Sequence, residues 1–226
     1  IDFPPDIYAL SLELGLDLGS VTDLMITHSH GDHFDVSELN MRQNGMFCHL
    51  GQDAPPLRLY GDDGVARVMK TAGADKYPYV AYTPLSYFDP VKLANGLVFT
   101  PLPASHAEGE NACIFLIEDG RHRVLYGHDT GLLPEADYPF LEGKPLDFVS
   151  LDCCNGSHST EYFGHMGMPQ CRKVADRLEA LGCIRPDTRL VLNHFSHNCG
   201  ELHEDLVAKA ADIGFEVAYD GMIVTL

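Results

Sequence analysis

Apolar residues along this chain cluster in short runs bounded by turn residues, the pattern of a protein built mainly from strands. Val21–Thr27 reads as a buried strand. Further runs predict strands at Leu57–Tyr60, Leu97–Leu102, Ala112–Glu118, Val124–Tyr126, Asp147–Leu151, Leu190–Asn193 and Glu216–Tyr219. Between 111 and 130, apolar Ile114, Leu116, Val124 and Tyr126 flank the turn residues Glu118-Asp119-Gly120-Arg121, which predicts a hairpin. Helical spacing takes over near the end. Cys171, Val174, Ala175, Leu178 and Leu181 recur over 169–181 before Gly182, and Leu202, Leu206, Val207, Ala210 and Ile213 recur over 201–213 before Gly214. A shorter helix is expected after His33, with Asp35 or Ser37 as its cap and Leu39 inward. No repeat, low-complexity tract or linker divides the chain, so residues 1–226 read as one domain of α/β class, helices covering the outer faces of a sheet sandwich.

The densest chemistry sits where the first of these strands ends. Thr27-His28-Ser29-His30-Gly31-Asp32-His33 holds three imidazoles and a carboxylate, a donor set suited to zinc, iron or manganese. In an extended segment residues 28, 30 and 32 would point the same way, with Gly31 allowing a sharp turn that aims His33 at a second ion. Other strand ends carry donors too: His106 after 97–102, Asp129 after 124–126 and His194 after 190–193. In α/β proteins such ends are where sites are commonly built.

Bulk properties narrow the partners. The formal charge is −18, from 15 Lys and Arg against 33 Asp and Glu, which argues against a phosphate-backbone partner and for a small substrate. No run of roughly 18 apolar residues is present, so no membrane span is expected, and no signal-peptide layout opens the chain. Seven cysteines without a CxxC pair, two of them adjacent at Cys153-Cys154, fit reduced core thiols and a cytoplasmic location. Cys199 lies close in sequence to His194 and His197 but reads as a buried or free thiol rather than a ligand. A homodimer is compatible with the sequence.

The ordered set HxHxDH at 28–33, His106, Asp129 and His194 resembles the metallo-β-lactamase superfamily over nearly the whole chain. The resemblance implies an αββα sandwich and two divalent ions (Zn, Mn or Fe). One ion would take His28, His30 and His106; the other would take Asp32, His33 and His194; Asp129 would bridge them. Ile1–Asp6 looks like the family's strand that ends in an aspartate before HxHxDH, so one or more earlier strands are expected to be lacking at the N-terminus. Flavodiiron-type members usually carry a glutamate where this chain has His30, which favours hydrolysis. Phe163-Gly164-His165-Met166, Asn193–Asn198 and the closing Ala218–Met222 resemble the branch of phosphoribosyl cyclic phosphodiesterases and tRNA 3′-processing endonucleases. In that branch a Gly-His histidine acts as general acid; the match here is His165.

The expected chemistry is hydrolysis of a small, possibly cyclic, phosphodiester. Two ions roughly 3.5 to 4 Å apart would hold the attacking hydroxide, Asp32 would bind metal and orient that hydroxide, and His165 would protonate the leaving alkoxide. His158 and His197 are candidate substrate contacts, and His128 is expected to buttress Asp129. His49, His122 and His203 read as surface residues. A thioester or lactone hydrolase with the same dinuclear centre, and a non-catalytic metal-binding module, are the alternatives.

Overall fold

A computed structural model describes residues 1–51 and 53–226, and its backbone contacts group them into two compact units. Unit 1 comprises residues 1–86 and 107–112; unit 2 comprises 87–106 and 113–226.

Among the described residues, unit 1 is built on a parallel sheet in the order β1 (Asp23–Met25), β2 (Leu57–Gly61), β3 (Val80–Pro84). Helix α1 (Ile7–Leu14) precedes the sheet, and α2 (Asp63–Ala72) joins β2 to β3. Leu24, Ile26, Leu57 and Leu59 pack with Val65 and Met69 of α2 and with Phe34 and Leu39. Asp62 caps α2 by accepting from the Val65 amide at 3.0 Å, and Gly73 ends it in the left-handed region at φ 74°.

The strand read from Val21 to Thr27 is shorter than its apolar run. Pairing with β2 covers 23–25, the Ile26 amide still reaches Tyr60, and the Thr27 amide leaves the ladder for the Asp2 carboxylate at 2.8 Å. The helix after His33 is a 3₁₀ helix over Val36–Arg42, capped by Asp35 and with Leu39 buried.

Unit 2 carries, among the described residues, a mixed seven-stranded sheet in the order β10-β9-β8-β7-β6-β5-β4. Its strands are β4 (Val91–Lys92), β5 (Val98–Pro103), β6 (Cys113–Glu118), β7 (Arg123–Gly127), β8 (Phe148–Asp152), β9 (Arg189–Asn193) and β10 (Glu216–Val217). The expected hairpin is β6–β7, closed by Asp119 accepting from the Arg121 and His122 amides. From β7 to β10 the pairing is parallel, so these strands deliver their C-terminal ends to one edge. Helices α3 (Asp137–Leu141), α4 (Met168–Ala180) and α5 (His203–Asp212) supply Leu141, Val174, Leu178 and Leu206 to a core with Leu116, Leu125, Val149, Leu151 and Leu192 of the sheet. Truncating one such leucine to alanine would cost about 2–5 kcal/mol, because a close-packed core collapses only in part around the void.

All seven cysteines are free thiols, and six are buried, as expected of reduced core residues. Among the described residues no helix is long and apolar enough to cross a membrane.

One core residue works against the fold. Asp137 is fully buried in unit 2, and neither carboxylate oxygen meets a hydrogen-bond donor among the described residues. Burial alone pushes its carboxyl up to about 8 from an ordinary 3.8. The native state therefore holds a proton that the unfolded chain releases, and stability falls as pH rises between these values, by at most about 1.4 kcal/mol per unit. Asp137→Asn is expected to be flatter over this window and more stable than the parent at its alkaline end. Denaturant unfolding at about pH 5 and about pH 8 measures both; identical slopes for the two proteins would place a donor on Asp137.

Candidate functional site

Each unit gathers part of the expected constellation. In unit 1 the segment after β1 is a turn rather than an extended strand: the His33 and Phe34 amides both bond the His30 carbonyl, at 3.0 and 2.8 Å. The expected alternation of 28, 30 and 32 is therefore replaced by a compact turn in which the His28 ring lies 4.5 Å from His30 and 4.4 Å from His33. Gly31 sits in the turn without a positive φ, and a Cβ there would meet nothing, so the turn does not depend on glycine. His28 and His33 are buried, His30 is exposed, and the Asp32 side chain is 75% exposed with its carboxylate 4.0 Å from His33 Nε2.

Asp2 organises this turn. Its carboxylate faces His33 Nδ1 at 2.8 Å and also accepts from the Thr27 amide and hydroxyl. Thr27 Oγ1 in turn lies 3.0 Å from His28 Nδ1. Both rings are thereby held at Nδ1, which leaves Nε2 as the natural ligand atom. Asp2 has φ 59°, a left-handed conformation that Asp tolerates better than bulkier residues.

In unit 2 the donors come from several strand ends. His106 follows β5 and is held by its Nδ1 on the Gly164 carbonyl at 2.9 Å, with Nε2 3.5 Å from Asp129. Gly164 is required by this contact, since a Cβ would stand 2.9 Å from that ring nitrogen and 2.7 Å from Tyr162. Asp129 follows β7 and is buried; it lies 3.3 Å from His165 Nδ1 and 3.3 Å from His194 Nε2. Asp129 and His194 both have positive φ, 51° and 59°, a backbone choice that costs energy and that clusters at functional positions.

Asp152, the last residue of β8, escaped the sequence reading. It is fully buried and accepts from His165 Nδ1 at 2.9 Å and from the Cys154 and Met166 amides at 3.0 and 3.1 Å, with His194 Nδ1 3.3 Å away. Burial pushes its carboxyl up, but the hydrogen bonds from His165 and His194 outweigh this and hold it below the ordinary carboxylate range. The only signal in the sequence was a carboxylate at the end of an apolar strand.

Ligand atoms of Asp129, Asp152, His165 and His194 lie within 4.8 Å of one another, close enough to share one ion. Two buried carboxylates facing two imidazoles are the chemistry of a divalent-cation site.

The remaining histidines separate. His197 is exposed but lines a cavity of about 820 Å³ that His194, Ser150 and Tyr219 also line; His158 is exposed and does not. His128 is buried with Nε2 2.6 Å from Ser150 Oγ, so its anchor is β8. Cys199 is buried beside Glu201 and joins no cluster of donors among the described residues. His49 and His203 are exposed, and His122 pairs with Asp119.

The model of the beta-lactamase superfamily domain matches residues 6–195. The chain belongs to the beta-lactamase superfamily. No curated protein matches it. Among solved structures, a diphosphatase of the PhnP family is 21% identical with TM-score 0.75, covering 100% of this chain and 78% of that one. Zinc-bound PqqB from Methylobacterium extorquens is 18% identical with TM-score 0.71, covering 100% and 82%. The short form of human tRNase Z is 17% identical with TM-score 0.64, covering 99% and 86%. At these identities the likeness concerns the α/β fold. Superfamily membership and the buried His/Asp donors make the chain a metal-dependent hydrolase by class.

Asp2 supplies a direct test of how the candidate ligands are held. Removing a carboxylate that orients a ligating imidazole typically weakens metal binding about 10–100-fold. Asp2→Ala should do so with the fold retained, measured by chelator competition for bound manganese; unchanged affinity would mean that His33 is positioned without it.

Proposed function

We propose that this chain hydrolyses a small phosphodiester, with His165 as the proton donor to the leaving group. The observation that carries this reading is the Asp152–His165 pair at the edge of the unit 2 donor cluster. The ligand assignment is carried over from the family resemblance: His28, His30 and His106 for one ion, Asp32, His33 and His194 for the other, Asp129 shared. The donor chemistry fits, since His28, His33 and His106 each have Nδ1 within hydrogen-bond reach of an oxygen, which fixes the ring orientation that a metal ligand needs. When bound, divalent ions would supply Lewis acidity and a water of lowered proton affinity.

The protein's own groups do the rest. Asp152 accepts a hydrogen bond from His165 Nδ1, which fixes the orientation of the ring, so that an Nε2 proton can pass to the departing alkoxide oxygen. The backbone around His165 is immobilised from both sides, by Gly164 holding His106 and by the Met166 amide on Asp152. A donor so fixed loses little entropy on reaching the transition state. The cavity beside His194, lined by Tyr126, Ser150, His197 and Tyr219, is of a size to take the body of a small ester, with His197 as a substrate contact. The acidity of the chain disfavours a nucleic-acid substrate.

A thioester or lactone hydrolase is the second reading. Thiolate leaving groups depart without a proton, so an Asp-supported imidazole would be idle on a thioester, whereas the alkoxide of a lactone would use it.

Two experiments decide. The manganese-loaded protein should hold two ions per chain and turn over alkyl and aryl phosphodiesters faster than thioesters or lactones; the reverse order would install the second reading. His165→Ala should lose about 10²–10⁴ in rate on an alkyl phosphodiester and little on a p-nitrophenyl ester, with its manganese content unchanged. Equal losses on both esters would remove His165 from the acid role.

A further inference from the structure

The end of β8 carries one more donor, of a different chemical kind. Cys154 follows Asp152 by two positions and is 9% exposed. Its sulfur and ring nitrogens of His165 and His194 lie within 4.8 Å of one another. The same two imidazoles lie within 4.8 Å of carboxylate oxygens of Asp129 and Asp152.

Backbone bonds hold these donors in place. The Cys154 amide donates to the Asp152 carboxylate that also takes His165. The Cys153 amide donates to the Asn193 carbonyl at 2.8 Å, and the Asn193 side chain accepts from the His194 amide at 2.7 Å. One strand pair, β8–β9, therefore sets the spacing between the thiol and His194, while Asp152 sets the spacing between the thiol and His165.

We propose that Cys154, His165 and His194 form a thiophilic metal position, which takes a soft or borderline divalent ion such as zinc or cadmium. Two imidazoles and a thiolate are three of the four donors of a tetrahedral set that zinc favours, and water or substrate would complete it. Manganese and magnesium prefer oxygen donors and gain little from the sulfur. The arrangement implied by the family resemblance brings only nitrogen and oxygen to the ion that shares His194. Binding at the thiolate position releases the thiol proton to solvent.

The position has a consequence for catalysis, and that consequence rests on the acid role given to His165 above. An ion coordinated by His165 occupies the ring that must carry the transferable proton. Metal identity then selects between two states: a hard ion leaves His165 as donor, and a soft ion consumes it.

X-ray absorption at the zinc edge of the zinc-replete full chain tests the metal position without an activity measurement. The expected result is a sulfur shell at about 2.3 Å beside nitrogen and oxygen at about 2.0–2.2 Å. C154S should lose the sulfur shell, and C199S should keep it. With cobalt, the near-ultraviolet thiolate-to-metal band should follow the same order while the visible bands persist in both variants. A zinc shell of nitrogen and oxygen alone in the parent protein overturns the proposal, whatever the folding of C154S. So does a sulfur shell that survives C154S. A second arm separates this from the function proposed above. Because the position also takes His194, zinc added to the manganese-loaded protein should slow both esters, and alkyl phosphodiester turnover far more than aryl ester turnover. If the sulfur shell is present but zinc affects the two esters equally, the metal position stands and the acid role of His165 falls.

Discussion

The unit 2 donor cluster depends on one buried carboxylate. Asp152 has no exposed surface, and an ionised carboxylate in that position is costly unless its oxygens are fully engaged. The bonds it accepts come from three separate pieces of chain: the Cys154 amide just beyond β8, the Met166 amide and His165 ring ahead of α4, and the His194 region after β9. Satisfying one buried charge thus forces these segments to converge. Loss of that carboxylate would leave amides unpaired and an imidazole unoriented at once, so its effects on stability and on the site are coupled.

Unit 1 uses the same device on a smaller scale. Asp2 draws the Thr27 amide out of the sheet ladder and holds His33. This is why the strand predicted from Val21 to Thr27 ends early: the side chain of a residue distant in sequence competes with the neighbouring strand for the backbone. Apolar patterning cannot report such a competition, because the residues involved keep the burial expected of a strand.

Legibility followed from how local each determinant is. The hairpin, α4, α5 and the strands of unit 2 other than the two-residue β4 were readable because alternation, 3.6-residue spacing and turn chemistry lie within a few residues of one another. Helix α2 and strand β3 were not. The first does space Val65, Val68, Met69 and Ala72 as a helix would, but over only ten residues, and the second is largely exposed. Helix α1 buries only Ser11, so its sequence gives no sign of an inward face. In the site, imidazoles and the HxHxDH spacing were legible as donors. Asp152, Asp2 and Cys154 were not, because an acid at a strand end and a thiol in an apolar run have ordinary structural roles until the tertiary fold shows what they face.

The placement of the donors also explains why the parallel part of the sheet matters more to the chemistry than its size does. From β7 to β9 the strands run the same way, so Asp129, Asp152 and His194 leave the ladder at one edge. Two of these, Asp129 and His194, turn out of the ladder in the left-handed region, where a β-branched replacement would be strained regardless of its chemistry. The backbone there is held by bonds that do not involve any ion: Thr130 Oγ1 takes the Ser105 amide, and Asn193 takes the His194 amide. The donors therefore stand close together at the expense of backbone strain met by the surrounding fold. A ligand that binds them gains affinity because that ordering has already been done. The same rigidity limits the site's freedom to adapt, so that the choice among ions falls to the chemistry of the donor atoms rather than to movement of the chain.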